Sequence, residues 1–195
     1  MTPEILFLIA AYLLGSVPTG LILARMVGGV DIRTTGSGNI GATNVYRTMG
    51  RTVGIMTLVG DCLKGLVPVV VAGQMGFGER WVLAAGLAAF LGHVFTIFLK
   101  FKGGKGVATA LGVFLAVAPA AVGIALVIFI AIVAATRFIS LGSITAAAAM
   151  PLAVWLLGAG PLHIGMTAVI ALIVIVKHHE NIRRLVKGEE SKFKA

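Results

Sequence analysis

The sequence predicts an all-α integral membrane protein of about seven transmembrane helices, with its N-terminus outside and its C-terminus cytoplasmic. Three observations carry that prediction. Of 195 residues, 58% are hydrophobic and the mean hydropathy is +1.04, too apolar for a soluble domain. Apolar runs recur along the chain, most of them near the roughly 20 residues that a helix needs to cross hydrocarbon. The formal charge of +9 is gathered between particular runs. At this length the chain reads as a single membrane-integral domain, 1–195, with no room for a second.

The first run, Ile5–Leu23, has Glu4 ahead of it and Arg25 behind it, the pattern of an uncleaved helix entering from outside. A polar stretch follows, Gly36 to Asn44 (GSGNIGATN), flanked by Arg33, Arg47 and Arg51. The next runs are Val53–Ala72 and Trp81–Leu99, the latter leading into FKGGKGVAT, Phe101 to Thr109. Val107–Ala135 is 29 residues long and contains Pro119 and Gly123 within AVAPAAVG, which read as a turn. Ile139–Leu157 and Leu162–Val176 complete the set, and HHENIRRL (His178 to Leu185) opens a basic tail.

Charge parity chooses between topologies. If each run crossed once, the basic tail would lie outside with the N-terminus, against the positive-inside rule. Splitting Val107–Ala135 at its turn restores agreement. The half Val107–Ala118 is then short for a span at ~1.5 Å per residue. Gly36–Asn44, Lys102–Lys105, Arg137–Ser143 and the tail all reach the cytoplasmic face in this topology, where they can build one site.

Several function classes fall away. Cys62 is alone, so neither a disulfide framework nor a cysteine metal site is available, and no metal or cofactor is expected. The basic residues follow membrane topology and form no soluble basic patch, so nucleic acid is not an expected partner. Gly36, Gly38 and Gly41 match G-x-G-x-x-G, but that fingerprint needs a preceding strand, which membrane helices do not supply. FKGGKGVAT is not a Walker loop, because Val107 stands where Ser or Thr is required.

What remains points to an anionic, partly greasy substrate. In GSGNIGATN the glycines allow close backbone approach, Ser37, Asn39, Thr43 and Asn44 offer hydrogen bonds, and Arg47 adds a fixed charge. In FKGGKGVAT, Lys102 and Lys105 flank Gly103 and Gly104, so backbone amides and two ammonium groups would converge on an anion. His178 and Asn181 share a helical face, and the histidine suits orienting a hydroxyl or accepting its proton. Arg183 and Arg184 read as headgroup contacts. Asp61 and Lys64 lie inside an apolar run and either pair with each other or touch substrate. His93 reads as a buried hydrogen-bonding histidine. A transporter for a phosphorylated anion would use similar groups, but nearer the bilayer midplane and often in repeats.

Taken in order, GSGNIGATN with Asn44 and Arg47, FKGGKGVAT and HHENIRRL resemble the three motifs of the bacterial membrane-integral glycerol-3-phosphate acyltransferases that use acyl phosphate. The resemblance covers essentially the whole chain and extends to Asp61, Lys64 and Gly65, to Gly92 and His93, and to Ser143. It implies a seven-helix fold in the bacterial cytoplasmic (inner) membrane with the active site facing the cytoplasm. It also implies acyl transfer from acyl phosphate to the 1-hydroxyl of glycerol 3-phosphate, giving lysophosphatidic acid and phosphate. The residues carried over are Ser37, Asn39, Arg47, Lys105, Ser143, His178 and Asn181, with Lys102 and Thr43. The donor implies a soluble acyl-phosphate-forming enzyme as a partner, besides membrane lipid. Other glycerol-3-phosphate acyltransferases use a His followed five residues later by Asp; Phe98, Ala168, Arg183 and Arg184 occupy those positions here. The expected mechanism is direct attack of the hydroxyl without an acyl-enzyme, the proton passing to His178 or to a substrate phosphate oxygen.

Overall fold

Pro18 and Pro119 mark breaks between the helices of this apolar chain, whereas Pro68 and Pro151 are carried inside helices. The computed structural model describes residues 1–193, and among these the regular elements are helices, with no strand. The first expected run is broken: α1 (Pro3–Ser16) ends before Pro18, and α2 (Thr19–Gly28) begins after it. Pro18 has no N–H to donate, and its ring disfavours helical backbone at Val17. Next come α3 (Ala42–Met49), α4 (Arg51–Gln74), α5 (Glu79–Val94) and α6 (Val107–Val117). The chain continues with α7 (Pro119–Thr136), α8 (Ile139–Leu156), α9 (Pro161–Lys177) and α10 (His179–Val186).

The turn expected in AVAPAAVG falls at Ala118, with Pro119 as the first residue of α7, where a missing N–H costs nothing. Gly123, expected to share that turn, lies inside α7 instead. Five stretches are long and apolar enough to cross a membrane: Pro3–Gly28, Arg51–Gln74, Glu79–Leu99, Pro119–Thr136 and Ile139–Leu156. Helices α9 and α10, bent by 56° at their junction, make a sixth when the pair is taken as one span. Helix α6 is shorter, about 16 Å at 1.5 Å per residue.

Contacts divide the chain into two compact units, residues 1–116 and a second beginning at Val117. In the first, glycines bring helices together backbone to backbone. A Cβ on Gly15 would strike the Ala89 carbonyl, and one on Gly92 the Tyr12 carbonyl, so α1 lies directly on α5. Gly65 and Gly112 seat α6 on α4 in the same way. This is the small-residue packing by which helices approach in lipid. The ends of α1 and α5 are then tied by hydroxyls. Thr96 Oγ1 donates to the Ser16 carbonyl at 2.5 Å, Ser16 Oγ to Gly92 at 3.2 Å, and the Tyr12 hydroxyl to Phe95 at 2.6 Å.

In the second unit α8 packs between α7 and α9, and α10 rests on α8 and α9. Arg137, at φ +63°, ends α7, and its carbonyl accepts from the Phe193 amide at 2.7 Å.

Gly92→Ala should lower stability in detergent by about 2 kcal/mol, because the methyl overpacks the α1–α5 contact. Gly123→Ala has open space around it and should raise stability by up to about 1 kcal/mol. Thermal unfolding of the two variants beside the parent checks both signs.

Candidate active site

The first polar loop is wound around one side chain. Asp31 starts it by accepting from the Arg33 amide and guanidinium and from Arg25, which hold its carboxyl well below the usual carboxylate range. Asn44 Nδ2 then donates to the carbonyls of Ile32, Thr35 and Asn39 at 2.9–3.1 Å, while its Oδ1 accepts from the Ser37 amide at 2.9 Å. Gly36 is left-handed at φ +57°, and a Cβ there would strike Asn44 Oδ1. Asn44 was expected to bind substrate. Its side chain is buried and committed inside the loop, so its role is to shape the loop.

What the loop presents is Ser37 and Arg47, both exposed, with Asn39 and Thr43 half-buried. Asn39 Oδ1 accepts from the Gly41 amide at 2.9 Å, which leaves Nδ2 as the group to offer a ligand. Beneath the loop, Ile32, Ile40 and Val45 form a buried core with Leu21, Ala24 and Val53. Leu99, just before the second loop, packs against that core and places both loops at one end of the unit.

The second loop corrects another expectation. The amides of Gly103 and Gly104, expected to face an anion, donate to the Val94 and His93 carbonyls at 3.2 and 3.1 Å. These carbonyls end α5 and would otherwise lack partners. The glycines serve close approach, since a Cβ on Gly103 would strike the His93 carbonyl and one on Gly104 the His93 ring. The charges this loop carries are Lys102, which is exposed, and Lys105, which is half-buried just before the start of α6.

The charges within the apolar run pair with each other. Lys64 Nζ lies 2.8 Å from Asp61 Oδ1 and donates to the Val17 carbonyl at 2.9 Å, just past the end of α1. A cation there suits the negative end of the helix dipole.

The third motif lies in the second unit. His178 sits at the bend between α9 and α10, buried, with Nδ1 2.7 Å from the Val174 carbonyl. A carbonyl only accepts, so Nδ1 carries the proton and Nε2 is the basic nitrogen of the neutral ring. Asn181, one turn on, donates from Nδ2 to Glu190 Oε1 at 2.7 Å. Ser140 donates to the same oxygen at 2.7 Å, and Arg184 Nε to Oε2 at 2.7 Å. Arg184, read from sequence as a headgroup contact, is one-third exposed and pairs with Glu190. Ser143 is buried on α8, one turn beyond Ser140. Glu190 and Ser140 were not foreseen, and neither spacing nor composition marks them. Burial pushes the Glu190 carboxyl up, but the hydrogen bonds from Arg184, Ser140 and Asn181 outweigh it and leave the group below its ordinary value.

Comparison with known proteins gives a consistent set of relatives. Residues 5–188 match the family model described as glycerol-3-phosphate acyltransferase. The chain is 70% identical to a glycerol-3-phosphate acyltransferase of Geobacter sulfurreducens and 63% identical to one of Geotalea daltonii, each over the full length of both proteins. Among solved structures it resembles PlsY (YgiH), an integral membrane glycerol 3-phosphate acyltransferase, at 40% identity, over 99% of this chain and 96% of that one. The TM-score is 0.94 to its glycerol 3-phosphate form and 0.92 to its lysophosphatidic acid form.

The Glu190 cluster has a pH signature. A carboxyl held below its ordinary 4.5 stabilises the fold above that pH and ceases to do so as pH falls through the folded value. The thermal midpoint should therefore drop more steeply below pH 4.5 in the parent than in Glu190→Gln, which has no carboxyl to titrate. Parallel slopes in thermal scans would contradict this.

Proposed function

The chain belongs to the glycerol-3-phosphate acyltransferase family, and we propose that it makes lysophosphatidic acid from glycerol 3-phosphate and acyl phosphate. The observation that carries the reading is a relative of the same fold captured with glycerol 3-phosphate in one form and lysophosphatidic acid in the other, the two ends of one acylation. The reaction is the first acylation step of phospholipid synthesis. It is carried out by one membrane-integral domain, 1–195, in the bacterial inner membrane, with seven crossings, the N-terminus outside and the site at the cytoplasmic face. Helix α6 is the seventh, short crossing.

The roles follow from the chemistry of each group. Lys105, Lys102 and Arg47 hold phosphate oxygens, and Ser37, Asn39 and Thr43 add neutral hydrogen bonds. Ser143 and Asn181 orient the substrate hydroxyl. That hydroxyl oxygen attacks the acyl carbonyl and forms the ester bond as the bond from the acyl carbon to the phosphate oxygen breaks. Phosphate leaves with the electron pair, and the hydroxyl proton passes to His178 Nε2 or to a phosphate oxygen. Because acyl phosphate is already activated, positioning and charge stabilisation supply most of the rate. Ser37, whose amide is held by Asn44 Oδ1, is assigned to binding and not to nucleophilic attack. The enzyme that forms acyl phosphate is the expected soluble partner.

Purified protein in detergent with palmitoyl phosphate and glycerol 3-phosphate should release one phosphate per lysophosphatidic acid. His178→Ala should lower kcat by about 100-fold, and Lys105→Ala should raise the KM for glycerol 3-phosphate by about tenfold. Full activity of His178→Ala would assign the proton to a substrate phosphate. No product from folded protein would favour a transporter for a phosphorylated anion.

A further inference from the structure

Behind the Lys102–Lys105 loop stands a set of buried polar groups that the proposed chemistry does not use. Helix α5 ends at Val94, and the loop folds back over that end. The Gly104 amide donates to the His93 carbonyl, the Gly103 amide donates to Val94, and Gly104 presses against the His93 ring at Nε2. On the other edge of the ring, His93 Nδ1 faces Asp61 Oδ1 at 3.8 Å, too long for a hydrogen bond but close enough for the carboxylate to favour that ring orientation. The same Asp61 oxygen is 2.8 Å from Lys64 Nζ, which is anchored in turn on the Val17 carbonyl. All three side chains are buried.

We infer that His93, backed by Asp61, is a positioning residue that sets the Lys102–Lys105 loop for the phosphate of glycerol 3-phosphate. The inference rests on the phosphate role proposed above for that loop. Its physical content is steric and orientational. Gly103 and Gly104 have no side chains because the His93 carbonyl and ring occupy that space. The two residues that the ring and carbonyl fix lie between Lys102 and Lys105, so the backbone origin of both lysine side chains is set from His93. A side chain that fixes the loop before substrate arrives strengthens ground-state and transition-state binding of phosphate alike. Its loss therefore appears in KM and not in kcat.

The test is a double-mutant cycle on the full-length protein in detergent, with KM and kcat measured for both substrates. His93→Ala is expected to raise the KM for glycerol 3-phosphate by about tenfold, leaving kcat and the KM for palmitoyl phosphate within about twofold. Gly104→Ala should raise the same KM, because its methyl meets the ring. In the double variant the methyl enters the space that the ring has left, so the KM should not exceed that of His93→Ala alone. If His93→Ala does not fold, His93→Gln carries the test, with a smaller rise in the same KM expected.

Multiplying KM effects in the double variant, or a fall in kcat with KM unchanged in either His93 variant, would overturn the inference. Lys105→Ala is measured alongside. A raised KM there with an additive cycle defeats the His93 inference alone, whereas an unchanged KM in Lys105→Ala defeats the phosphate reading itself.

Discussion

A helix that stops inside an apolar layer leaves carbonyls without partners, and the first unit of this protein is organised around satisfying them. Pro18 ends α1 within a stretch of membrane-spanning length, and α5 ends beside it. The Ser16 carbonyl takes the Thr96 hydroxyl, and the Val17 carbonyl takes the buried Lys64 ammonium. The His93 and Val94 carbonyls take two amides of the glycine-rich loop. Each unsatisfied group would cost several kcal/mol in hydrocarbon, about as much as many side-chain contacts together return. The ammonium is itself tolerable only because Asp61 neutralises it.

This requirement shapes the chemistry. A loop recruited to cap α5 cannot also offer the capping amides to a ligand, so its charge must come from lysine side chains. A loop wound around Asn44 has its backbone polar groups occupied and presents Ser37, Asn39, Thr43 and Arg47 outward. The second unit repeats the principle with Glu190, whose acceptor-only carboxylate takes the Asn181 amide hydrogen and thereby directs Asn181 Oδ1 away from it. On the proposed reading, the protein fixes donors, acceptors and charges in advance, and an activated donor supplies the driving force for bond-making.

Much of this was legible in the sequence, for definite reasons. Apolar runs and dense polar clusters are local properties, so the membrane class, the three motifs and the Asp61–Lys64 pair could be read from the chain. The resemblance then supplied the reaction. The break at Pro18 was hidden because both halves of the run are apolar. Gly123 resembled a turn residue but sits in α7, since Pro119 alone suffices to start that helix. The inward roles of Asn44, Gly103 and Gly104 depend on which way a group faces, which composition does not encode. Glu190 was invisible because its partners, Ser140 on α8 and Asn181 and Arg184 on α10, meet it only in the fold.

The central claim is that preset position and charge, with no covalent enzyme intermediate, carry the acyl group directly between substrates. The most direct measurement is phosphate exchange: the protein is incubated with palmitoyl phosphate and radiolabelled inorganic phosphate in the absence of glycerol 3-phosphate. Direct transfer predicts that no label enters palmitoyl phosphate while the same preparation turns over once acceptor is added. Label appearing in the donor without acceptor would reveal an acyl-enzyme and contradict the account.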